Sequence, residues 1–304
     1  MDKSKIDKDA LRQAVRLNDL GGKRLDTGDW DAALVRYREA ADRAPYYGPA
    51  WFNMGLIHKW RRQWSDSLAC NARAGWLITN GLSDDSSDEG SPAWWNLGIA
   101  ATALSSWDVA REAWQRYGIA IPDGTGELRL DFGIAPLRLD PGGSGEVVWG
   151  TRIDPARIVI KNVPTPASGH GWGDIVLHDG APNGERQFGG RTYGVFDEIE
   201  VWQASGIPTL EAEVTVTDAD DSRALEDAFE AAGLAAEDWT RSVRTLCGQC
   251  SEGSPSGSHE HPPAPYAAQR RFGLASPADE AGRVLATWAA ARPGRSYGEP
   301  QAAS

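Results

Sequence analysis

Small and apolar residues recur at helical spacing over the first third of the chain. Trp51, Met54 and Ile57 are three residues apart, which places them on one face of a helix. Similar spacing predicts one helix from about residue 9 to residue 27 and a second over 30–43. This region is therefore predicted to be a series of short helices joined by tight turns.

A glycine that follows an apolar residue marks a longer period in the same region. These glycines each stand nine residues before an aromatic residue, and the pairs are Gly21 with Trp30, Gly55 with Trp64, and Gly98 with Trp107. The first two copies are 34 residues apart. The third follows after 43 residues, because an acidic, Ser-rich insert over 84–91 precedes it. Three copies in register indicate helical hairpins that bury their apolar faces by stacking on each other.

Over residues from about 8 to 119, this pattern resembles the tetratricopeptide repeat, which has a period of 34 residues. The resemblance implies an α-helical solenoid of three hairpins and covers about a third of the chain. The C-terminal two thirds resemble no family of known function.

The resemblance also implies a surface that binds a partner. In tetratricopeptide arrays, the first helix of each hairpin lines a concave groove that typically holds a peptide. The corresponding positions are Phe52 and Leu56 in the second repeat, and Trp95 and Ile99 in the third. A groove of this composition suits an apolar peptide or an amphipathic helix. Alternatively, Phe52 and Trp95 pack against the protein's own C-terminal half.

The first repeat differs from the tetratricopeptide arrays that bind chaperone tails. Those arrays hold a C-terminal carboxylate with Lys and Asn at set positions. Here Asn53 fits that pattern, but Asn18 and Gly22 stand where Lys and Asn would be expected. This departure argues against a chaperone tail as the partner.

After Gly118, the apolar pattern changes from helical spacing to alternation. Alternating segments over 128–134, 157–161 and 198–202 are separated by Gly-rich turns. Short strands with such turns predict a small β-sandwich or barrel over 121–205.

Strand and helix signals are mixed over residues 206–298. The predicted strands cover 210–217 and 269–274, and the predicted helices cover 222–232, 236–246 and 277–291. This order suggests a small α+β domain, which could be ferredoxin-like, with residues 247–261 inserted. The predicted fold class is therefore multidomain α + β.

The inserted segment contains four residues of the types that bind zinc, namely Cys247, Cys250, His259 and His261. Two thiolates and two imidazoles complete a tetrahedral Zn²⁺ shell, and four protein ligands make such a site structural. The spacing departs from that of a DNA-binding finger. The alternative is a disordered loop in which the four residues are incidental.

Two other chemistries remain open from the sequence. The pair Cys247 and Cys250 has the spacing of a thiol oxidoreductase, although it does not open a helix. His170, Asp174 and His178 could form a hydrolytic metal site, with Asp174 and His178 on one face of a strand. Alternatively, Asp174 bonds the backbone of its own loop.

Composition and charge narrow the classes of partner. The net charge is −12, which argues against nucleic acid and against anionic membranes, because both require a basic surface. No apolar run approaches the length of about 18 residues that a membrane span needs. The charged start lacks the apolar core of a signal peptide, so a cytoplasmic location is expected.

These observations favour a non-enzymatic adaptor that binds a protein or peptide in the groove of the repeats and carries a structural zinc site. The alternative hypothesis is a metal-dependent hydrolase or a thiol oxidoreductase. No nucleophile elbow, cofactor loop or zincin motif supports that alternative.

Overall fold

The computed structural model describes residues 7–80, 91–240 and 267–303. The chain divides into two compact units, Met1–Leu128 and Arg129–Ser304, which are called unit 1 and unit 2 below. Unit 1 is helical, and unit 2 contains both sheets, so the fold is mixed α and β. The finer division into domains over 8–119, 121–205 and 206–298 stays a prediction.

Unit 1 contains six helices, within its described residues, that pack as three consecutive hairpins. The helices are α1 (Lys8–Asp26), α2 (Trp30–Arg43), α3 (Gly48–Trp60), α4 (Trp64–Thr79), α5 (Pro92–Ala103) and α6 (Trp107–Arg116). The first helices of the hairpins are neighbours, because α3 contacts both α1 and α5. The helical hairpins predicted from the recurring glycines are therefore present.

The recurring glycines are the points where the two helices of each hairpin approach closely. A Cβ atom added at Gly21 would lie 2.5 Å from the ring of Tyr37. An added Cβ at Gly98 would lie 2.6 Å from the ring of Trp114. In both hairpins the glycine and its partner are 16 residues apart, as are Gly55 and its neighbour Asn71. Only a residue without a side chain fits these contacts, so the sequence period corresponds to a packing period.

The turns inside the hairpins also repeat in backbone conformation. Gly28, Arg62 and Ser105 occupy corresponding positions and have φ angles of 76°, 57° and 56°. Glycine adopts this left-handed conformation at low cost, whereas Arg and Ser are strained in it. The second and third hairpins therefore form the same turn from less suitable residues.

The first part of unit 2 is a closed barrel of five strands. The strands are β1 (Ile134–Arg138), β2 (Val147–Arg152), β3 (Arg157–Ile160), β4 (Ile175–Phe188) and β5 (Arg191–Gln203). Each strand pairs antiparallel with the next, and a parallel pairing of β1 with β5 closes the barrel. An apolar core cluster of the barrel consists of Ala135, Leu137, Leu139, Val148, Ile158, Ile160 and Val176.

The strand predicted over 128–134 is wrong in position, because β1 starts only at Ile134. Gly133 has a φ angle of 78° and interrupts the extended run. The carboxylate of Asp131 accepts a hydrogen bond from the Gly133 N–H at 2.8 Å, which stabilises the turn. The predicted strand therefore ends at the residue where β1 begins.

The rest of unit 2 is an antiparallel sheet with two helices packed on it. Its elements are β6 (Thr209–Thr215), α7 (Ala219–Ala231), β7 (Ala235–Asp238), β8 (Gln269–Ala275), α8 (Ala278–Ala290), β9 (Ser296–Tyr297) and β10 (Gln301–Ala302). The strand order is β10-β6-β8-β7, and β9 also pairs with β6. Phe229, Phe272, Leu285 and Trp288 are buried between the helices and the sheet.

The helix predicted over 236–246 is wrong where the structure describes it, since residues 235–238 form β7. Ala and Glu favour helices, but β7 pairs with β8 along its whole length. The buried carboxylate of Asp238 accepts a hydrogen bond from Arg270 at 2.7 Å. This contact with a distant strand outweighs the local helical preference.

The buried carboxylate of Asp221, near the start of α7, bonds two arginines that follow α8. Asp221 is fully buried and accepts hydrogen bonds from Arg292 at 2.7 Å and from Arg295 at 2.7 and 2.9 Å. The Thr217 hydroxyl donates a further bond at 2.6 Å. Burial raises the pKa of Asp221, but the bonds from Thr217 and Arg295 outweigh it and hold that pKa well below the ordinary value.

Candidate functional site

The apolar surface on the first helices of the repeats is the candidate site. Phe52 and Leu56 lie on α3, and both side chains are half-buried. Phe52 packs against Ala74, Ile78 and Ala93 from the neighbouring helices. Both side chains therefore keep part of their apolar surface accessible.

Trp95 on α5 is also half-buried and is held by two aromatic neighbours. Its ring centroid lies 5.0 Å from that of Trp114 in an edge-on arrangement, and 4.8 Å from that of Tyr117. Such contacts fix the orientation of the indole ring. Trp95 can therefore present a rigid apolar edge from α5.

Ile99, the fourth residue predicted for the groove, is fully buried. A side chain without accessible surface cannot contact a partner in this arrangement. The accessible part of the candidate site consists of Phe52, Leu56 and Trp95, which are called the first-helix surface below.

Polar contacts between neighbouring first helices occur in the same layer as these apolar side chains. The Asn53 amide donates a hydrogen bond to the Asn18 side chain at 2.9 Å. Lys59 is 3% exposed, and its Nζ donates to the Asn96 side chain at 2.9 Å. Sequence reasoning missed Lys59 and Asn96, although a lysine on the buried face of a helix was a usable signal. These contacts join α1 to α3 and α3 to α5. They also occupy the side-chain amides of Asn18, Asn53 and Asn96.

The alternative site of His170, Asp174 and His178 is not assembled as one cluster. Asp174 precedes β4 instead of lying in it, and its carboxylate accepts from the N–H groups of Gly171 at 2.8 Å and Ser205 at 2.7 Å. Asp174 therefore bonds loop backbone. Within the described ranges, no group of three or more His, Cys, Asp or Glu residues could hold a metal ion.

His170 forms an ion pair with an acidic residue from β5. Its Nε2 lies 2.8 Å from Glu198 Oε1, and its Nδ1 lies 2.6 Å from the Ser168 carbonyl oxygen. Burial lowers the pKa of His170, but the hydrogen bond and charge of Glu198 outweigh it and raise that pKa above its ordinary value. Because both ring nitrogens face acceptors, the imidazolium form fits this position.

His178 differs from His170 in the surroundings of its ring nitrogens. It is fully buried, and neither ring nitrogen has a hydrogen-bond partner in the part of the chain that the structure describes. Its ring centroid lies 4.7 Å from that of Phe196. Burial and the charge of Arg152 hold the pKa of His178 well below its ordinary value, so the imidazole is neutral.

The predicted zinc ligands Cys247, Cys250, His259 and His261 lie outside the described residues. The remaining cysteine, Cys70, is buried in α4. Burial raises the pKa of the Cys70 thiol to about 11, so this thiol is unreactive near neutral pH.

None of the helices in the described ranges is long and apolar enough to cross a membrane.

Among known proteins, the similarities found are to solved structures. No protein-family model matches the chain, and no curated protein matches it. Among solved structures, the chain is similar to the first TPR of Spaghetti (RPAP3) bound to HSP90 peptide SRMEEVD. The identity is 20%, the TM-score is 0.30, and the match covers 35% of this chain and 78% of that chain. A similarity at this level carries no argument about function.

Proposed function

We propose that this protein is a non-enzymatic adaptor that binds an apolar peptide or helix of a partner protein on the first-helix surface. The observation that supports this proposal is the partial exposure of Phe52, Leu56 and Trp95 on neighbouring first helices. An amphipathic helix places apolar anchors three and four residues apart and can contact several of these side chains at once.

The rigidity of this surface supports the same proposal. Phe52 is packed on α4 and α5, and Trp95 is held by Trp114 and Tyr117. Side chains that are fixed before binding lose little conformational entropy when a partner arrives. Binding on pre-ordered aromatic anchors is therefore favoured over binding on mobile ones.

The finer assignments belong to this proposal. The three hairpins are assigned to the tetratricopeptide repeat, supported by the packing of glycines on residues 16 positions later. The strand order β10-β6-β8-β7 supports a ferredoxin-like assignment for the second part of unit 2. A cytoplasmic location, without nucleic acid or membrane as partner, is part of the same proposal.

The adaptor proposal is tested by capture of partners from the native source, followed by mass spectrometry. Leu56→Lys should lose a partner that the wild-type chain captures, because it places a charge on the apolar surface. Phe52→Ala combined with Trp95→Ala should lose the same partner. Trp76→Ala is the matched control, since Trp76 is 45% exposed on a second helix. Unchanged capture by folded Leu56→Lys would falsify the proposal.

We also propose that Cys247, Cys250, His259 and His261 hold a structural Zn²⁺. Metal analysis of the purified chain should find about one zinc per chain. Replacement of Cys247 and Cys250 by Ser should remove the metal, whereas Cys70→Ala should retain it. A wild-type chain without zinc after expression in zinc-supplemented medium would contradict the proposal.

A further inference from the structure

One end of the barrel contains a cation that has no acidic partner in the described chain. Arg152 is the last residue of β2, and Phe132 lies just before β1. Val148 on β2 faces the barrel interior, and Arg152 shares its side of the strand by alternation. Phe132, Arg152, His178 and Phe196 are called the barrel-end cluster below.

Two aromatic rings hold the guanidinium group of Arg152. Its central carbon lies 4.9 Å from the ring centroid of Phe196 and 5.7 Å from that of Phe132. Stacking on aromatic faces fixes the plane of a guanidinium group and leaves its N–H groups directed away from the rings. Arg152, Phe132 and Phe196 are all half-buried, so the group still reaches solvent.

The hydrogen-bonding capacity of Arg152 is largely unused. Within the described residues, its side chain makes a single hydrogen bond, from Nη2 to the Pro155 carbonyl oxygen at 3.2 Å. Its Nε is buried without a partner. The neighbouring carboxylate of Asp154 is already bonded to Arg157 at 2.6 Å. A guanidinium group carries five donors, so three of them, on Nη1 and Nη2, remain available to a ligand.

Arg152 differs from three other arginines inside unit 2, each of which is paired with a carboxylate. Arg138, Arg157 and Arg270 each lie within 2.7 Å of a carboxylate. Burial lowers the pKa of Arg152, and only the charge of Asp154 opposes this effect. The buried ring of His178, which packs on Phe196 as Arg152 does, has two nitrogens without a partner in the described residues. Partly buried cations and buried polar groups are costly unless a partner compensates them.

We propose that the barrel-end cluster binds the oxyanion group of a ligand, a carboxylate or a phosphate, through the guanidinium of Arg152. The planar fork of the guanidinium matches the two oxygens of either group. The mouth of a β-barrel is a common position for a ligand site. The barrel-end cluster belongs to unit 2 and the first-helix surface to unit 1, so its occupant need not be the partner that the repeats bind.

Isothermal titration calorimetry of the full chain with inorganic phosphate and with acetate, at constant ionic strength, tests this site. The wild-type chain should bind at least one of the two anions saturably, and the preferred anion identifies the ligand group. Arg152→Gln should weaken binding by about tenfold or more, because it removes a charge-assisted bidentate contact. Arg223→Gln, which changes an exposed arginine on α7, should bind as the wild type does.

A measurement on the unaltered protein covers the case in which Arg152→Gln does not fold. The imidazole NMR signals of His178 should shift on addition of the bound anion, because the ring packs on Phe196, which also stacks on Arg152. Those of His58, which bonds Gln63 in unit 1, should not shift. Absence of saturable binding of both anions, or equal affinity in folded Arg152→Gln, would overturn the proposal. A His178 signal that does not respond while an anion binds would also overturn it.

Discussion

The interiors of the two units are organised by different interactions. In unit 1, the two helices of a hairpin meet where a glycine accepts the ring of a residue on the next helix, such as Gly98 beneath Trp114. In unit 2, arginines and carboxylates are buried together, as in the pair Arg157 and Asp154, both fully buried. The closest contacts of unit 1 therefore depend on shape, whereas unit 2 adds buried ion pairs to its apolar cores.

Because of this difference, the two units should tolerate different kinds of substitution. A close-packed contact between a backbone and a ring is sensitive to one added methyl group and insensitive to pH. A buried ion pair tolerates little loss of either partner, and its contribution depends on protonation. The following predictions test this contrast, from the largest expected effect to the smallest.

Loss of a buried carboxylate should have the largest effect. Asp221→Ala removes the buried carboxylate that Arg295 and Arg292 share, although Arg292 keeps its ion pair with Asp218 and Arg295 keeps its bond to the Trp288 carbonyl oxygen. The free energy of unfolding should fall by about 3 kcal/mol or more. Urea unfolding of the full chain, followed by circular dichroism, measures this change. Asp220→Ala is the neighbouring control, since its side chain is 83% exposed, and its effect should stay within about 0.5 kcal/mol. Similar losses of unfolding free energy in the two variants would show that the buried carboxylate contributes no more than an exposed one.

Two adjacent glycines in α1 should respond in opposite directions. Gly21→Ala places a methyl group against Tyr37 and should destabilise unit 1 by about 1–3 kcal/mol. At Gly22, an added Cβ would have only the Tyr37 hydroxyl at 4.0 Å, so Gly22→Ala should stabilise the helix by about 0.5–1 kcal/mol. Thermal unfolding of both variants provides the comparison. A stabilising Gly21→Ala would show that the helices do not approach each other as described.

The ion pair of His170 and Glu198 should make unit 2 depend on pH near neutrality. The pKa of His170 is raised in the folded state above the unfolded value of about 6.5. Its contribution to stability is therefore fully present below that unfolded value, and it is lost as the pH rises through the folded pKa. The stability difference between wild type and His170→Gln, measured by urea unfolding from pH 6 upward, should shrink toward alkaline pH. A difference that stays constant with pH would contradict the pairing.

Relief of backbone strain in the repeat turns should have the smallest effect. Ser105→Gly should stabilise unit 1 by about 0.5 kcal/mol, because the left-handed conformation costs serine more than the flexibility of glycine costs the folded state. Gly28→Ala is the reciprocal change and should destabilise by about 1 kcal/mol. Differential scanning calorimetry resolves both shifts. Opposite signs in either variant would show that the turns do not share one conformation.

The sequence predicted unit 1 better than unit 2 because its determinants are local. The helix predicted over 30–43 coincides with α2, and the glycine contacts that define the hairpins span only 16 residues. The burial of Ile99 was not predictable in this way. Its repeat position implied a groove residue, whereas its exposure depends on contacts that the repeat pattern does not encode.

In unit 2, the decisive contacts join residues that are distant in the chain. Asp238 and Arg270 are 32 residues apart, and their ion pair accompanies a strand where Ala and Glu favoured a helix. His170 and Glu198 are 28 residues apart, and no sequence pattern linked them. Arg152 left a weak signal, since the alternation of Val148, Gly150 and Arg152 ends on a cation. Pairings of this kind require the folded topology before they can be identified.

The closure of the barrel by β1 and β5 has a consequence for the behaviour of the chain in concentrated solution. At the closure, the parallel pairing of β1 with β5 covers the backbone groups of both strands. The outer half of the hairpin formed by β4 and β5 pairs only within itself, so the unpaired edges of the barrel lie there. In the second sheet, one edge is β7, with four residues, and β9 and β10 on the other side have two residues each. Such short edges offer little template for intermolecular β-pairing, so the second sheet is protected against edge-to-edge association while it remains folded, and the β4–β5 hairpin is the part of unit 2 more open to it.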